Sequence, residues 1–396
     1  MRKLTLTLTL VMLTVSVCAT RPERPLRSLA DRQLRAMGIT APSEKLAERT
    51  ACAIYGVPSG GFVVVNKTDV GEQVLGYSEK VYDGGTLPCG FAWWLDAIDH
   101  MLQQGVVRKV QQSYAAVDDF LTTEWGQGSP YNDKCPIDGG AHCQAGCAAI
   151  SLAQVMRYYG WPAQGQGTGG YYLGLTQSST YVSEPVNGVY EWEKLNHVNF
   201  YNADADAKAA VAVLVFDCGK AATTYYTRNT SASIDSNQAV ALTRNFMYNP
   251  QTVRYVERKD YSDEQWMTMV YSELQARRPL FYSGYAENGY LGHAFLISGM
   301  DEEGRVYVNW GWDGRYNGFF ALDAIKLTMT LDFRYDQTMI LGVMPAGTTP
   351  SGVCPPATAD DEAAPCYYDL IGRRTDGTVR GLTIVRKGGK VQKVIN

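Results

Sequence analysis

Histidine is scarce in this chain, and a basic excess and long apolar runs are missing from it. Only 4 histidines occur among 396 residues, so any histidine base must be one of these four. The formal net charge of -4, with no basic cluster longer than a few residues, excludes an electrostatic nucleic-acid partner. Beyond the N-terminus, no segment approaches the roughly 20 apolar residues of a membrane helix, which excludes a stable membrane span. The sequence also has no internal repeat.

The N-terminus has the pattern of an export signal. Met1-Arg2-Lys3 precedes a short apolar run, Leu4 to Val17, and Val17-Cys18-Ala19 fits a small-residue cleavage site. We therefore expect residues 1–19 to be a signal peptide and the protein to be secreted or held at the cell surface. Lipidation at Cys18 is the alternative, although Val17 is a poor residue for that processing.

The cysteine count predicts both disulfides and free thiols. Nine cysteines are present, and eight remain once Cys18 leaves with the signal. If Cys147 stays free, seven are left, so at least one more is unpaired. We expect Cys218, inside an apolar run, to be that buried thiol. The remaining cysteines are placed for disulfides by segment: Cys52 with Cys89, Cys135 with Cys143, and Cys354 with Cys366.

The periodicity upstream of residue 110 predicts a small α+β unit. Residues 20–45 have helical spacing, and a second helix is predicted over Phe91 to Leu102. Between these helices lie three short β-type runs bounded by turn residues: Cys52 to Tyr55, Gly61 to Asn66 and Glu72 to Tyr77. This arrangement predicts a sheet with helices packed on it.

The downstream chain is predicted to place helices before an antiparallel sheet, which is an α+β arrangement. After the cysteine helix, the Gly/Tyr/Ser-rich stretch Gly165 to Tyr181 is predicted to be a surface loop. The predicted helices are Lys208 to Cys218, Ser236 to Phe246 and Asp263 to Arg277; the predicted strands are Leu280 to Gly284, Gly292 to Gly299, Arg305 to Trp310 and Gly318 to Leu322.

Cys147 is the strongest candidate for chemistry. Gly146-Cys147 opens a helical run that stops at Gly160, so the thiol falls in the first turn. The partial positive charge of a helix N-terminus favours a thiolate and lowers a cysteine pKa. The competing interpretation is a buried structural cysteine on a packed helix.

His293 is the candidate base for that thiol. It enters an apolar strand, where a polar ring requires a reason, although a satisfied core histidine is the usual case. Asn309 ends the next predicted strand, where its amide could orient the imidazole as the third member of a Cys-His-Asn arrangement. Trp310 and Trp312 follow in a glycine-rich turn that could shield the histidine from water, or offer a sugar-binding surface.

These residues together resemble the streptopain family of secreted bacterial cysteine peptidases, which have a papain-like fold. The likeness runs over residues 25 to 345. The motifs that carry it are Gly146-Cys147 with Gln154 to Tyr159 and Trp161-Pro162, Gly292 to Phe295, Val308 to Trp312, Gly318 to Ala324, and upstream Gly60 to Val65 and Leu75 to Ser78.

The resemblance implies an α+β zymogen with a small inhibitory prodomain and a papain-like peptidase domain. Residues 20–115 would block the cleft or misplace the histidine until a cut between residues 105 and 125, and residues 116–346 would form the peptidase. Cys147 would be the nucleophile and His293 the base and later the acid. The Cys147 backbone N–H and a second donor would hold the oxyanion.

The sequence departs from the papain-like pattern in the expected second donor. Such enzymes place a glutamine six residues before the cysteine, where this chain has Ala141, and the nearest glutamine is Gln144. The resemblance also leaves open whether Asn309 or Trp310 flanks the histidine.

The C-terminal part has two compositions. Residues 347–366 are rich in Pro, Ala, Thr, Asp and Glu, which is typical of a linker. Residues 367–396 predict a basic β-hairpin turning at Gly388-Gly389. They resemble a C-terminal segment of exported proteins from some Gram-negative anaerobes, which implies a role in secretion or surface retention.

The predicted function is peptide-bond hydrolysis without a metal or other cofactor, acting on protein and peptide substrates. Three alternatives remain. The same dyad could serve an acyltransferase or transglutaminase; the Trp-rich turn could belong to a catalytically inactive surface-binding homologue; and a zinc site could form from Cys135, His142, Cys143 and Cys147, although their spacing fits no common zinc finger.

Overall fold

The structure is a computed structural model. It describes residues 23–69, 73–105, 113–175, 179–285, 292–322 and 337–348, and in the C-terminal part residues 366–368, 374–375, 382–387 and 390–395. The predicted signal peptide and most of the predicted linker lie outside these residues. The chain divides into two compact units, with the division between Ala346 and Gly347. None of the described helices is long and apolar enough to span a membrane.

The first unit contains the helices of the described chain. They are α1 (Glu23–Ala36), α2 (Cys89–Gln103), α3 (Cys147–Tyr159), α4 (Ala205–Ala221), α5 (Ser236–Arg244) and α6 (Asp263–Gln275), with a single 3-10 turn at Arg258–Asp260. Local signals fix several of their ends: Asp204 accepts the Ala207 N–H at the start of α4, and Ser262 and Gln265 form a capping box on α6. The helices predicted from periodicity are all present.

The strands of the first unit form one large sheet and two small ones. They are β1 (Glu44–Glu48), β2 (Cys52–Gly56), β3 (Phe62–Asn66), β4 (Val74–Ser78), β5 (Ile137–Asp138), β6 (Ala141–His142), β7 (Thr168–Leu173), β8 (Thr180–Pro185), β9 (Tyr225–Tyr226), β10 (Arg254–Glu257), β11 (Leu280–Tyr285), β12 (Gly292–Met300), β13 (Val306–Asn309), β14 (Gly318–Phe320) and β15 (Gln337–Leu341). The sequence did not predict β1, β5, β6, β8, β9, β10 or β15.

The large sheet joins the N-terminal and downstream parts of the chain. Its order is β1-β2-β3-β4-β14-β13-β12-β11-β15-β10. At the joint, β4 pairs with β14 through only two positions, Gly76 with Phe320 and Tyr77 with Phe319, whereas β11 and β12 pair over six. The upstream strands therefore extend the sheet that carries His293.

Two hydrophobic cores lie on opposite faces of that sheet. One face, with Phe295 and Ile297 of β12, packs with α2 and α6. The other face, with Ala294 and Leu296, packs with α3 and α4. A third, smaller core lies between α1 and strands β2 and β3. Because strand side chains alternate between faces, each of the two central cores takes every second residue of β12.

The prediction of a surface loop over Gly165 to Tyr181 is wrong for the part of this range that forms strands. Thr168–Leu173 forms β7, which pairs antiparallel with β8 and parallel with β9. The glycines that indicated a loop serve close packing: a Cβ built on Gly169 would lie 2.6 Å from the Lys220 carbonyl oxygen at the end of α4. Glycine in this strand therefore marks a close backbone approach.

The predicted disulfides of the first unit are also absent. Cys52, Cys89, Cys135, Cys143 and Cys147 are free thiols, and so is Cys218, which is buried as expected. Cys52 lies beside Asp99 on α2, and Cys135 lies beside Tyr226, so these sulfurs are placed next to polar side chains of other elements. The predicted pair of Cys354 and Cys366 falls outside the described residues and side chains.

The second unit is a small antiparallel sheet. The predicted hairpin is present as β18 (Leu382–Lys387) and β19 (Lys390–Ile395), which follow β16 (Cys366–Tyr368) and β17 (Arg374–Thr375). The strand order is β17-β16-β18-β19.

Candidate active site

The nucleophile candidate is placed by a glycine that starts its helix. Gly146 is the N-cap of α3 with φ 90° and ψ 138°, a backbone conformation that is open almost only to glycine. A Cβ at this position would also lie 3.3 Å from the Ser231 carbonyl oxygen. The turn delivers Cys147 as the first residue of α3, half-buried, as the sequence predicted.

The Cys147 sulfur reaches across to the sheet. It accepts a hydrogen bond from the backbone N–H of Ala294, at 3.4 Å. Because Ala294 follows His293 directly, this contact brings the thiol to the strand that carries the candidate base. Burial raises the pKa of the Cys147 thiol, with the Ala294 N–H acting in the opposite direction. Burial therefore favours the neutral thiol over the thiolate in this structure.

His293 is held on the other face of β12. Burial lowers the pKa of its imidazole to about 4, and its Nδ1 is buried without a hydrogen-bond partner. In the described structure the sulfur of Cys147 takes its hydrogen bond from Ala294 and none from His293. Cys147 thus contacts the strand residue next to His293 and does not hydrogen-bond to the imidazole, and burial favours the uncharged form of both groups.

Helix α2 covers the histidine. A Cβ built on Gly90 would lie 3.8 Å from the His293 Cβ and 2.8 Å from the Trp310 ring, so the helix backbone lies directly on both. Gly284, which pairs with His293 across β11, would bring a Cβ within 2.5 Å of the Trp93 ring. The first two turns of α2 therefore lie against one side of His293, whose side chain is half-buried.

Asn309 does not orient His293. Its amide donates to the Thr123 carbonyl oxygen at 2.6 Å and to Gln154 Oε1 at 3.1 Å, and its oxygen accepts the Gly311 N–H at 3.0 Å. The sheet register explains this difference from the expectation, because Asn309 pairs with Leu296, three residues beyond the histidine. The side chain fastens the turn after β13 to helix α3.

Trp310 and His293 lie against the same residue of α2, Gly90. Trp310 is 1% exposed, donates its indole N–H to the Tyr316 carbonyl oxygen, and packs against Phe295 with ring centroids 5.0 Å apart. Trp312 is half-buried, and its indole N–H has no hydrogen-bond partner. The turn that carries Trp310 and Trp312 therefore packs along one side of the candidate active site.

Gln144 lies on the loop that leads into α3. It is half-buried, and its backbone N–H donates to the Thr227 carbonyl oxygen at 3.3 Å.

His142 is exposed, and its ring nitrogen contacts the Cys135 carbonyl oxygen at 2.6 Å. Within the described residues, no group of three His, Cys, Asp or Glu side chains is placed to hold a metal ion, so the alternative zinc cluster is not assembled there.

Three features of the site escaped the sequence reasoning. The Ala294 N–H is a backbone group, and Gly90 acts by having no side chain, so neither leaves a motif. Asp235 is a buried carboxylate whose charge acts on the Cys147 thiol and raises its pKa further, after burial. Asp235 directly precedes the predicted helix at Ser236, and because aspartate is common at helix N-termini, its position in the sequence does not mark it as a site residue.

A thiol at the first residue of a helix, set against a histidine-bearing strand of an antiparallel sheet, defines a cysteine peptidase of papain-like fold. Comparisons with known proteins give the family. A profile of the peptidase C10 family matches residues 125–320. Prointerpain A of Prevotella intermedia, solved as a fragment, superposes with a TM-score of 0.68 at 31% identity, covering 76% of this chain and 98% of that one. The chain belongs to the peptidase C10 family.

Three further proteins agree with this assignment. Active interpain A of the same organism matches at 32% identity with a TM-score of 0.52, over 60% of this chain and 99% of its own. Streptopain of Streptococcus pyogenes is 28% identical over 301 residues, 69% of this chain and 74% of streptopain. The thiol protease/hemagglutinin PrtT of Porphyromonas gingivalis is 27% identical over 348 residues, but this chain spans only 39% of its length.

Proposed function

We propose that this protein is an exported cysteine endopeptidase, made as a zymogen, with Cys147 as nucleophile and His293 as general base and acid. The observation that carries the proposal is the 3.4 Å contact between the Cys147 sulfur and the N–H of Ala294, the neighbour of His293. It joins the start of α3 to the histidine strand across the cleft. The family and its zymogen relative, prointerpain A, supply the reaction class.

The chemistry requires that the two neutral groups meet. Cys147 gives its proton to the imidazole, and the thiolate attacks the carbonyl carbon of the peptide bond. The amine leaves with the proton from His293, and water then hydrolyses the thioester, with the proton passing back through the imidazole. The Cys147 backbone N–H and the Gln144 side chain are the proposed donors to the oxyanion, and Trp310 with Trp312 would shield the histidine.

The N-terminal unit, residues 20–115, is proposed as the inhibitory prodomain of a peptidase domain over residues 116–346. Its helix α2 lies against His293 and Trp310 through Gly90, and in this proposal that contact is what keeps the imidazole away from the thiol. A cut between residues 105 and 125 falls after the end of α2 at Gln103. Removing the unit would free the histidine face of β12.

Export and retention are proposed from the two ends of the chain. A signal peptide over residues 1–19 would direct secretion, with lipidation at Cys18 as the alternative. The hairpin of β18 and β19, within residues 367–396 and preceded by a linker over 347–366, would serve secretion or surface retention. N-terminal sequencing of protein recovered from the medium tests the first statement, and deletion of residues 367–396 tests the second.

Replacing the nucleophile tests the central proposal. We expect Cys147→Ala and His293→Ala precursors to lose self-processing and casein cleavage by at least about 10³-fold, because each removes one half of a catalytic unit. Cys218→Ala, which removes a buried thiol far from the cleft, is the matched control and should process normally. Undiminished cleavage by Cys147→Ala would overturn the assignment.

A second measurement separates hydrolysis from acyl transfer. A fluorogenic peptide is cleaved with and without an added amine, and the products are identified by mass. Hydrolysis predicts a free carboxylate as the main product in both samples. An amide product that dominates at low amine concentration would instead support the acyltransferase alternative.

A further inference from the structure

Two of the described helices begin with a cysteine. Cys89 is the first residue of α2, and Cys147 is the first residue of α3. Neither helix has a side-chain cap on its first N–H groups, because Pro88 and Gly146 precede them. In each helix the cysteine sulfur lies beside the backbone N–H groups of that helix start. The two thiols therefore have similar local settings, one upstream of the expected cut and one downstream of it.

The turn after β13 contacts both helix starts. Trp310 packs on α2, where a Cβ built on Gly90 would lie 2.8 Å from the Trp310 ring. Gly311 packs on α3, where a Cβ would lie 3.3 Å from Cγ2 of Ile150, in the first turn of the helix. Adjacent residues of one turn thus bring the start of α2 and the start of α3 to the same place.

The sulfurs of Cys89 and Cys147 are close enough to act on each other. Burial raises the pKa of the Cys89 thiol to about 12, and a negative charge on Cys147 acts in the same direction. Two contacts on β12 agree with this proximity. Ala294 donates its N–H to the Cys147 sulfur at 3.4 Å. His293, the residue before it, lies against Gly90, the residue after Cys89.

Exposure separates these two thiols from the other cysteines of the described first unit. Cys89 and Cys147 are half-buried, so a small oxidant can reach them. The other four free thiols are buried: Cys52, Cys135, Cys143 and Cys218. Under the proposed export, the chain enters surroundings in which disulfides form and persist. The two accessible thiols are thus also the two that lie together.

We infer that Cys89 and Cys147 form a reversible disulfide when the precursor meets an oxidising disulfide compound, and that this bond keeps the proposed zymogen inactive until a thiol reduces it. The bond itself requires only the two thiols. Its regulatory effect rests on the proposed function, in which Cys147 is the nucleophile.

The step balances as a thiol–disulfide exchange. The Cys147 thiolate attacks one sulfur of the external disulfide, which forms a mixed disulfide and releases one thiolate. The Cys89 thiolate then attacks the Cys147 sulfur, and a second thiolate leaves. The two protein thiols give up two protons and two electrons, and the external disulfide is reduced to two thiols. An excess of thiol reverses both steps.

The bond would change what cleavage achieves. A disulfide requires Cα atoms no more than about 7 Å apart, so it fixes the start of α2 against the start of α3. It also occupies the sulfur that the reaction needs. A cut between residues 105 and 125 would leave α2 covalently attached to the peptidase domain. Activation of the oxidised precursor therefore requires a reductant as well as a cut.

The direct test looks for the cross-link in an intact precursor. His293→Gln keeps both cysteines and removes the proposed base, so the chain stays uncut. It is incubated with equal amounts of reduced and oxidised glutathione, alkylated, digested without reduction and analysed by mass spectrometry. We expect a peptide that links Cys89 to Cys147 in more than half of the chains, and its loss in excess dithiothreitol.

Cys218→Ala in the same background is the matched control and should form the link to the same extent, because it removes a thiol that takes no part. Two cysteines that each carry a separate glutathione, or that both stay reduced, would overturn the inference. So would a cross-link from Cys89 to any other cysteine.

Cys89→Ser measures the regulatory effect, since it removes only the upstream thiol. After oxidation, half-maximal self-processing should require a dithiothreitol concentration at least about 10-fold higher for the wild-type precursor than for Cys89→Ser, because an internal disulfide re-forms after each exchange step. Cys89→Ala replaces the serine variant if that protein does not fold. An equal requirement in both proteins would overturn the regulatory role. A cross-linked precursor that stays inactive after full reduction would confirm the disulfide and overturn the peptidase proposal, and the regulatory role with it.

Discussion

The two faces of strand β12 are covered by different parts of the chain. The Ala294 face packs on α3, so the nucleophile and its surroundings belong to one continuous downstream segment. The face with Phe295 and His293 packs under α2, which lies upstream of residue 105. The proposed catalytic pair is thus divided between two cores, and only one of them is complete without the N-terminal unit. Under the proposed function, the contacts that fold the N-terminal unit onto β12 are the same contacts that inhibit the enzyme.

The largest loss of stability is expected from removing a side chain of the histidine-side core, which is the core that α2 and α6 form on the Phe295 face of β12. Trp94 of α2 is fully buried and donates to the Ala321 carbonyl oxygen at 3.0 Å. Trp94→Ala should lower the free energy of unfolding of the precursor by about 3–5 kcal/mol and leave the mature enzyme unchanged. Urea unfolding of both forms measures this, with the precursor kept intact by Cys147→Ala.

Leu152→Ala is the matched change on the other face. Leu152 of α3 is fully buried in the nucleophile-side core, which packs against the Ala294 face of β12. Its truncation should lower the free energy of unfolding by about 2–5 kcal/mol in precursor and mature enzyme alike. If Trp94→Ala weakened the mature enzyme as much as the precursor, the division between the two cores would be wrong.

A smaller effect is expected where α2 touches the turn that carries Trp310 and Trp312. Gly90→Ala would place a methyl group 2.8 Å from the buried Trp310 ring, and overpacking of this kind costs up to about 3 kcal/mol. We expect a less stable precursor that matures faster, measured by unfolding and by the time course of processing. Gly60→Ala, where no atom lies within 4 Å, is the control and should change neither.

Acidification should weaken the precursor through His293. Its imidazole binds a proton only near pH 4 when buried, but near pH 6.5 in the unfolded chain, so the unfolded state binds more protons between these values. Stability therefore falls as the pH is lowered through this window, by about 2 kcal/mol between pH 7.5 and pH 5. The measurement is urea unfolding of the Cys147→Ala precursor at both pH values.

The histidine's share is isolated by substitution. His293→Gln in the same background should remove most of that pH-dependent loss, whereas His142→Gln, which changes an exposed ring, should leave it in place. A loss of equal size in the His293→Gln protein would show that other groups cause it.

The smallest effect is expected on the outer side of α2. Asp96 forms an ion pair with Arg49, and its side chain is largely exposed to solvent. Asp96→Asn should lower the precursor's stability by less than about 1 kcal/mol and leave the rate of maturation unchanged. A large change would mean that α2 is held from outside and not through the histidine-side core.

The sequence predicted the elements that carry Cys147 and His293 better than it predicted how the strands around them pair. Helical spacing after Gly146 and the apolar strand after His293 are local patterns, and both elements lie where they were predicted. The pairing of β4 with β14 rests on two positions far apart in the chain, and no local pattern encodes it. Asn309 shows the same limit, because its partner depended on a register that periodicity does not fix.

Two predictions made from composition and spacing, a surface loop and a set of disulfides, were wrong because tertiary packing decided the outcome. Glycine in Thr168–Leu173 indicated a loop, but the strand needs glycine so that α4 can approach. The cysteines that were paired by segment, Cys52 with Cys89 and Cys135 with Cys143, are free thiols, because a disulfide requires Cα positions that spacing alone does not give.

The Gly90 contact has a consequence for the moment of activation. Cutting the chain beyond Gln103 severs a covalent tether but none of the contacts of α2 with His293 and Trp310. The released piece would change from a tethered inhibitor, present at a high effective concentration, to a free one that obeys mass action. The enzyme would then gain activity on dilution or when the piece is digested, so a concentrated sample should activate more slowly than a dilute one.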